Sequence, residues 1–241
     1  MSKILVGINN LSSIYQPVYA NHMQLWYRLG RNLPEHEFGL CNPNRMSIDR
    51  MRNFAAAAAM ECDFDWLVFI DDDVLVPFDC ISKLLKHVDK GFDVISGVTL
   101  IRGYPFHPML FDFSDKENHY VDDYEAKAEN GLLTCDAVGF SLCMIRVALF
   151  KKMVPPFFIT GTNFTEDVYF CQRAKQQVPG VKIGADVTIE TAHILGPEFI
   201  SPANKKERLI YEESQMPELA KKKERDRGLD YFQRLGVPLE T

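Results

Sequence analysis

The cysteines of this chain lack the spacing that would bind a metal. Cys41, Cys62, Cys80, Cys135, Cys143 and Cys171 lie far apart, with no C-x-x-C and no histidine at zinc spacing. They read as reduced core thiols of a cytoplasmic protein. A long apolar run is missing too: Met1-Ser2-Lys3 leads straight into Ile4-Leu5-Val6, far shorter than a signal sequence or a membrane span. The expectation is a cytoplasmic protein with no integral membrane segment. Nor is there an excess of basic charge, since 27 Lys and Arg stand against 33 Asp and Glu for a net charge of −6. That excludes a general polyanion binder, and any phosphate must be met locally by a metal or a few basic side chains.

What is present suits one α/β domain: 241 residues, 46% of them hydrophobic, are ample for a sizeable core. The organising stretch is Trp66-Leu67-Val68-Phe69-Ile70-Asp71-Asp72-Asp73-Val74. Five apolar residues rich in Val, Ile and aromatics read as a strand buried on both faces, as in a parallel sheet. Three adjacent carboxylates repel one another, so they call for a divalent metal or arginines. Alternation along an extended chain would turn Asp71 and Asp73 one way and Asp72 the other, offering one metal a D-x-D pair; a small bulge would hand the metal to Asp72 instead. The alternative is a solvated turn with an acidic helix cap.

Around this run the pattern predicts strands at Ile4–Ile8, Phe38–Cys41, Phe92–Ser96, Leu132–Val138, Gly139–Ile145 and Val181–Ile189. Helices are expected over Pro17–Leu29, closed by Gly30, and from Ser47 through the alanines 55–59. Another opens at Pro77-Phe78-Asp79 and ends at Lys90-Gly91. The small-residue step at Gly139 suggests that the backbone passes close to something. Thr99–Phe113, rich in Arg, Pro, His and aromatics, reads as a core hairpin or an acceptor-binding wall. Arg45, Arg52 and Asn53 are expected beside a nucleotide, because a guanidinium suits phosphate and base edges; a solvated face with Asp49 paired to Arg52 is the alternative. Thr165-Glu166-Asp167 heads a further helix, where acids are favoured by the dipole whether or not they do chemistry. His193 follows the last strand. From Ser201 the chain is charged and helical in tendency, with Lys205-Lys206, Lys221-Lys222-Lys223, Arg225 and Arg227, either a solvated helix or a basic arm over the site.

A strand with a D-x-D end, a Gly-bearing strand, a Glu-Asp helix start and a lone histidine, in that order, resemble the metal-dependent GT-A glycosyltransferases similar to family 2. The resemblance spans about Ile4 to Gly196 and rests on dispersed motifs: Arg45 through Ala59, Ser96-Gly97 with Arg102, Asp136-Ala137-Val138-Gly139-Phe140 and Thr165-Glu166-Asp167. It implies an α/β, Rossmann-like GT-A domain over residues 1–200, a mostly parallel sheet flanked by helices, and a charged helical extension over 201–241 packing on it. It also implies transfer of one hexosyl or pentosyl group from a nucleotide-sugar, a UDP-sugar, to an acceptor hydroxyl. Mn²⁺ or Mg²⁺ would offset the charge on the leaving diphosphate. Asp73 would be the direct ligand, Asp71 a ribose or metal-shell residue, and His193 a further ligand that suits Mn²⁺. Asp167 would be the general base of an inverting displacement with Glu166 beside it, and Asn9, Asn10, Arg45, Arg52, Asn53, Asp71 and Asp72 would meet the nucleotide. The family's frequent Q-x-x-R-W motif is absent, which argues against a processive polysaccharide synthase. The acceptor is a glycan, protein, lipid or hydroxymethylated base of viral DNA. A nucleotidyltransferase is the competing enzyme class, but Asn9-Asn10-Leu11-Ser12-Ser13-Ile14 has neither the repeated glycine nor the lysine of its usual first loop.

Overall fold

The aspartate-bearing run becomes the middle of a sheet because every side chain before the acids tolerates burial. In the computed structural model, which describes residues 1–10, 13–113, 119–162, 164–195 and 198–215, β1 (Lys3–Asn9) leads through α1 (Gln16–Asn32) to β2 (Glu37–Cys41). α2 (Ile48–Glu61) then delivers the chain to β3 (Trp66–Asp71). β4 (Val74–Leu75), α3 (Cys80–Leu85), β5 (Val94–Val98), β6 (Leu110–Asp112), β7 (His119–Tyr120), α4 (Tyr124–Lys127) and β8 (Leu132–Thr134) follow. Next come β9 (Ala137–Val138), β10 (Leu142–Arg146), α5 (Val147–Phe150), α6 (Glu166–Gln177), β11 (Ile183–Glu190), β12 (Ala192–Leu195), β13 (Glu198–Ile200) and α7 (Lys205–Gln215).

Among the described residues, seven strands form the main sheet in the order β2-β1-β3-β10-β5-β11-β8. β1, β2, β3, β5 and β11 run one way, while β10 and β8 are antiparallel to their neighbours. The sheet is therefore α/β and mostly parallel, as the apolar runs imply. Asn9 lies opposite Asp71 in the register of β1 and β3, and the Asp71 N–H donates to Ser141 O at 3.0 Å. The ends of β1 and β3 and the start of β10 thus open on one edge, where such sheets present their sites.

Strand alternation divides the core. Trp66, Val68 and Ile70 face α1 and α3 with Leu25, Leu29, Ile81 and Leu84. Leu67 and Phe69 face the other way, onto Ala55, Ala56 and Ala59 of α2 and Phe170 of α6. The alanine run lets α2 lie close to the sheet, where bulkier side chains would hold it off. Phe140, Phe150, Phe158 and Phe170 fill the remaining volume with rings at 4.8–6.1 Å.

Several boundaries differ from the sequence pattern for local reasons. α1 runs past Gly30 to Asn32, with its cap at Leu33; a Cβ at Gly30 would meet open space, so this glycine is not required by a turn. The expected single strand over Leu132–Val138 is split, because Cys135 N–H donates to Ile183 O and Asp136 N–H to Phe111 O, moving the chain from the main sheet to a smaller one. The close approach expected at Gly139 is present: a Cβ there would sit 2.6 Å from Met109 Cβ. In α7, Lys205 pairs with Asp122 at 3.4 Å and Glu213 accepts the Tyr104 hydroxyl at 2.7 Å. Lys221-Lys222-Lys223, Arg225 and Arg227 of the expected basic arm lie outside the described residues. Among the described residues no helix is long and apolar enough to cross a membrane.

Candidate active site

β3 ends at Asp71, and Asp72 and Asp73 form a turn before β4. Strand alternation therefore does not carry through the triplet, and its two outer carboxylates part company. Asp71 turns to Arg52, whose Nη2 donates to Oδ1 at 3.1 Å and Oδ2 at 3.3 Å. The same guanidinium donates through Nε to Glu166 Oε1 at 2.9 Å and through Nη1 to Phe140 O at 3.3 Å. It lies 2% exposed over the rings of Phe69, at 4.8 Å, and Phe140, at 5.5 Å. Burial disfavours its charge, but Asp71 and Glu166 overcome that and hold it protonated. Burial pushes the Asp71 carboxyl above its usual range, with Arg52 opposing and the charge of Asp73 adding to the rise.

Asp73 has other partners. Its Oδ2 lies 3.2 Å from His193 Nε2 and 3.3 Å from Arg102 Nη1. Burial would raise its carboxyl, but the hydrogen bond to His193 and the charges of His193 and Arg102 outweigh this and lower it. His193 is placed by β12, which pairs with β4 so that His193 lies opposite Val74. Its Nδ1 is 2.9 Å from Leu100 O. A carbonyl only accepts, so Nδ1 carries a proton, and Nε2 is the ring nitrogen turned to Asp73. The neighbouring Thr99 and Thr191 hydroxyls meet at 2.7 Å and tie the start of the 99–113 segment to β12's approach.

Glu166 and Asp167 open α6, both buried. Asp167 Oδ1 accepts the Val168 N–H at 2.7 Å. Burial first, then the charge of Glu166, pushes its carboxyl up to about 6. Arg52 thus links the end of β3 to the start of α6, and the acids expected from distant parts of the sequence are brought to one edge.

The expected nucleotide residues are distributed more widely. Asn9 is buried beside Asp71, and Asn10 bridges to Asn44, with its N–H donating to Pro43 O at 3.3 Å. Arg45, exposed, takes a left-handed backbone with φ 54 next to that bridge. Asp72 is half-buried in the turn. Asn53 faces elsewhere: its Oδ1 accepts Phe157 N–H at 2.9 Å and Phe158 N–H at 3.3 Å, and its Nδ2 donates to Phe158 O at 2.7 Å and Asp49 O at 2.8 Å. That side chain anchors the 157–158 backbone to α2. Arg102 was not among the candidate site residues, although its place after the Ser96-Gly97 strand end was a signal; His193 and the turn at Asp73 bring it in.

Among the described residues, no three His, Cys, Asp or Glu side chains converge as a ready-made metal cage. Asp73 and His193 supply one oxygen and one nitrogen donor. Hard cations in nucleotide sites use one or two carboxylates and complete their shell with substrate phosphates and water, so this pair fits.

The fold is α/β, with a mostly parallel sheet whose acidic edge carries the candidate site. Residues 43–152, just under half of the chain, match the family described as Glycosyl transferase family 2. The chain is thus similar to the family 2 glycosyltransferases, and the match supports a glycosyltransferase-like function. It covers the Arg52 helix and the aspartate turn; Glu166, Asp167 and His193 lie beyond it. The crystal structure of A197 from STIV shares the fold with a TM-score of 0.60 at 20% identity, covering 83% of this chain and 91% of that one. Mannose-1-phosphate geranyltransferase from Thermus thermophilus aligns with a TM-score of 0.42 at 10% identity, over 85% of this chain and 77% of that one. None of the curated proteins compared with it matches by sequence.

Proposed function

We propose that the protein transfers a single sugar from a nucleotide-sugar, a UDP-sugar, to an acceptor hydroxyl with a bound Mn²⁺ or Mg²⁺. The observation that carries this reading is the orientation of His193. With Nδ1 donating to Leu100 O, Nε2 faces the Asp73 carboxylate at 3.2 Å. A ring nitrogen and a carboxylate oxygen meeting in this way share a cation, a proton or a metal ion. A ring whose other nitrogen is fixed by a backbone carbonyl is the arrangement that metal-ligating histidines use, and imidazole favours Mn²⁺ over Mg²⁺.

When bound, the cation would offset the negative charge that develops on the leaving diphosphate. The rest of the work falls to the chain. Arg102, exposed beside Asp73, meets a donor phosphate; Asn9, Asn10, Arg45 and Asp72 line the way to the nucleotide. Asp71, held by Arg52, buttresses the turn. Asp167, its carboxyl near 6, takes the proton of the acceptor hydroxyl as that oxygen attacks, and a base opposite the leaving group gives inversion. Glu166, pinned by Arg52, fixes the helix start from which Asp167 works. Residues 1–200 form the catalytic unit, with α7 of the following segment in contact with it through Lys205 and Glu213.

The test is a calorimetric titration of UDP with and without Mn²⁺, and transfer assays in EDTA. Asp73→Ala and His193→Ala should abolish the Mn²⁺-dependent part of UDP binding and donor turnover. Full activity in EDTA would refute the metal assignment.

A further inference from the structure

β4 has two residues, yet its pairing with β12 sets Asp73 beside His193. Val74 lies opposite His193 and Leu75 opposite Ala192, and the Asp73 carbonyl accepts the Ile194 N–H at 2.9 Å. So short a ladder does not hold a register by itself. β4 is also the outer strand of its sheet, in the order β13-β12-β4, so one edge of its backbone faces away from β12.

That edge is met by α1. Asn21 Oδ1 accepts the Val76 N–H at 2.9 Å, and Asn21 Nδ2 donates to the Val76 carbonyl at 3.0 Å, the two bonds a neighbouring strand would make. His22 follows with Nε2 at 3.2 Å from the Val74 carbonyl. Because that carbonyl only accepts, Nε2 carries the proton. His22 sits in the buried stripe of α1 with Val18, Leu25 and Leu29, where packing alone would call for an aliphatic residue. A polar ring there is explained by the hydrogen bond it makes.

We propose that Asn21 and His22 are positioning residues for the cation pair: they take the place of a fourth strand on the outer edge of the small sheet and hold β4 against β12, keeping Asp73 and His193 within reach of one ion. This rests on the metal reading given above. The consequence is that side chains on the first helix set the affinity of the site for its cation.

The experiment uses the full chain with Asn21→Ala, His22→Leu and His22→Gln, and Val18→Ala as a packing control in the same stripe. Amide exchange is followed at Ile194, and Mn²⁺ binding in the presence of UDP by electron paramagnetic resonance. Asn21→Ala and His22→Leu should each speed Ile194 exchange and weaken Mn²⁺ binding by about tenfold, the fold-change for loss of ordinary hydrogen bonding. His22→Gln keeps a donor and should restore most of both. Val18→Ala should lower the Tm and move neither readout. Unchanged Ile194 exchange in Asn21→Ala overturns the clamp whatever the metal does. Faster exchange with unchanged Mn²⁺ affinity overturns the positioning role. A wild-type protein that binds no Mn²⁺ with UDP overturns the metal reading, and with it the cation role of the clamp, while the exchange data still decide whether the clamp exists.

Discussion

Replacing Arg52 by Met deletes a charge while keeping an apolar stem over Phe69 and Phe140. The guanidinium makes four contacts with Asp71, Glu166 and Phe140 O, and its loss leaves two carboxylates at the end of β3 and the start of α6 without their shared cation. Removing one partner from a buried ion network costs about 3–5 kcal/mol. The lower half of that range is expected here, because the Asp71 side chain is 19% exposed and can recover some hydration. Arg52→Lys keeps the charge, but a point ammonium cannot reproduce the fork, so a loss of about 1–2 kcal/mol is expected. The pH dependence separates this account from simple packing loss. Asp71 already titrates above its usual range, through burial that Arg52 only partly opposes. Without Arg52 its folded pKa rises further above the unfolded value of about 3.9. The folded variant then keeps a proton that the unfolded chain releases, so its stability falls as pH rises above about 4. Urea denaturation of wild type and Arg52→Met at pH 4.5 and 7.5 measures this, and the penalty should be larger at pH 7.5. A penalty below about 1 kcal/mol, or one independent of pH, would refute the view that Arg52 is the counter-ion of Asp71.

Asp167→Asn should abolish transfer while calorimetric UDP binding stays near wild type. With the Asp167 carboxyl near 6, wild-type turnover should rise through that pH and level off above it, as the basic form accumulates; a flat profile from about pH 5 to 8 would make Asp167 a helix-start residue only. Asp186, 2.7 Å from His87, is held below its usual range because hydrogen bonds from Thr188 and His87 outweigh its burial. Its contribution is full above the unfolded pKa of about 3.9 and lost as pH falls through the lower folded value. Asp186→Asn should therefore cost about 1–3 kcal/mol at pH 7, with a smaller difference below pH 4 by urea denaturation. Asn53→Ala leaves the Phe157 and Phe158 N–H groups without their acceptor and should lower stability by about 2 kcal/mol with no change in UDP affinity, whereas a loss confined to UDP affinity would return Asn53 to the nucleotide.

The fold was legible where burial was two-sided. Trp66–Ile70 reads as an inner strand and Ile4–Ile8 as a first strand, so the acidic edge followed from the apolar runs, and the structure adds that the two are parallel neighbours. The reversal of β10 against β3 was not legible, since buried strands of either direction carry the same residues. Within the site, the identities of Asp71, Asp73, Asp167 and His193 could be read, but their partners could not. Arg52 lies on the buried stripe of α2 and Arg102 follows β5; the turn at Asp72 sends Asp71 to the first and Asp73 to the second. Asn53, next to Arg52 in sequence, points to a different backbone because successive helical residues lie about 100° apart. Asn21 and His22 gave no signal, as their partners are main-chain groups of Val74 and Val76, which any residue would offer.

The parting of Asp71 and Asp73 has an electrostatic consequence for binding. Asp71 and Glu166 share Arg52, one guanidinium for two carboxylates. On the other side Asp73 is already balanced by Arg102, with His193 as the third member of the contact. A divalent ion placed between Asp73 and His193 would therefore bring two positive charges to a neutral pair and repel Arg102 at short range. Arg102 is 58% exposed and can leave Asp73, and a diphosphate arriving with the ion supplies the negative charge that both cations need. Mn²⁺ and UDP should accordingly bind with positive coupling, each tightening the other by the same factor. Arg102→Ala should reverse the pattern, raising the affinity for Mn²⁺ alone while lowering the affinity for UDP with Mn²⁺. Isothermal titrations in both orders measure the coupling, and independent binding of the two ligands would show that Asp73, not Arg102, lacks a counter-charge before the donor arrives.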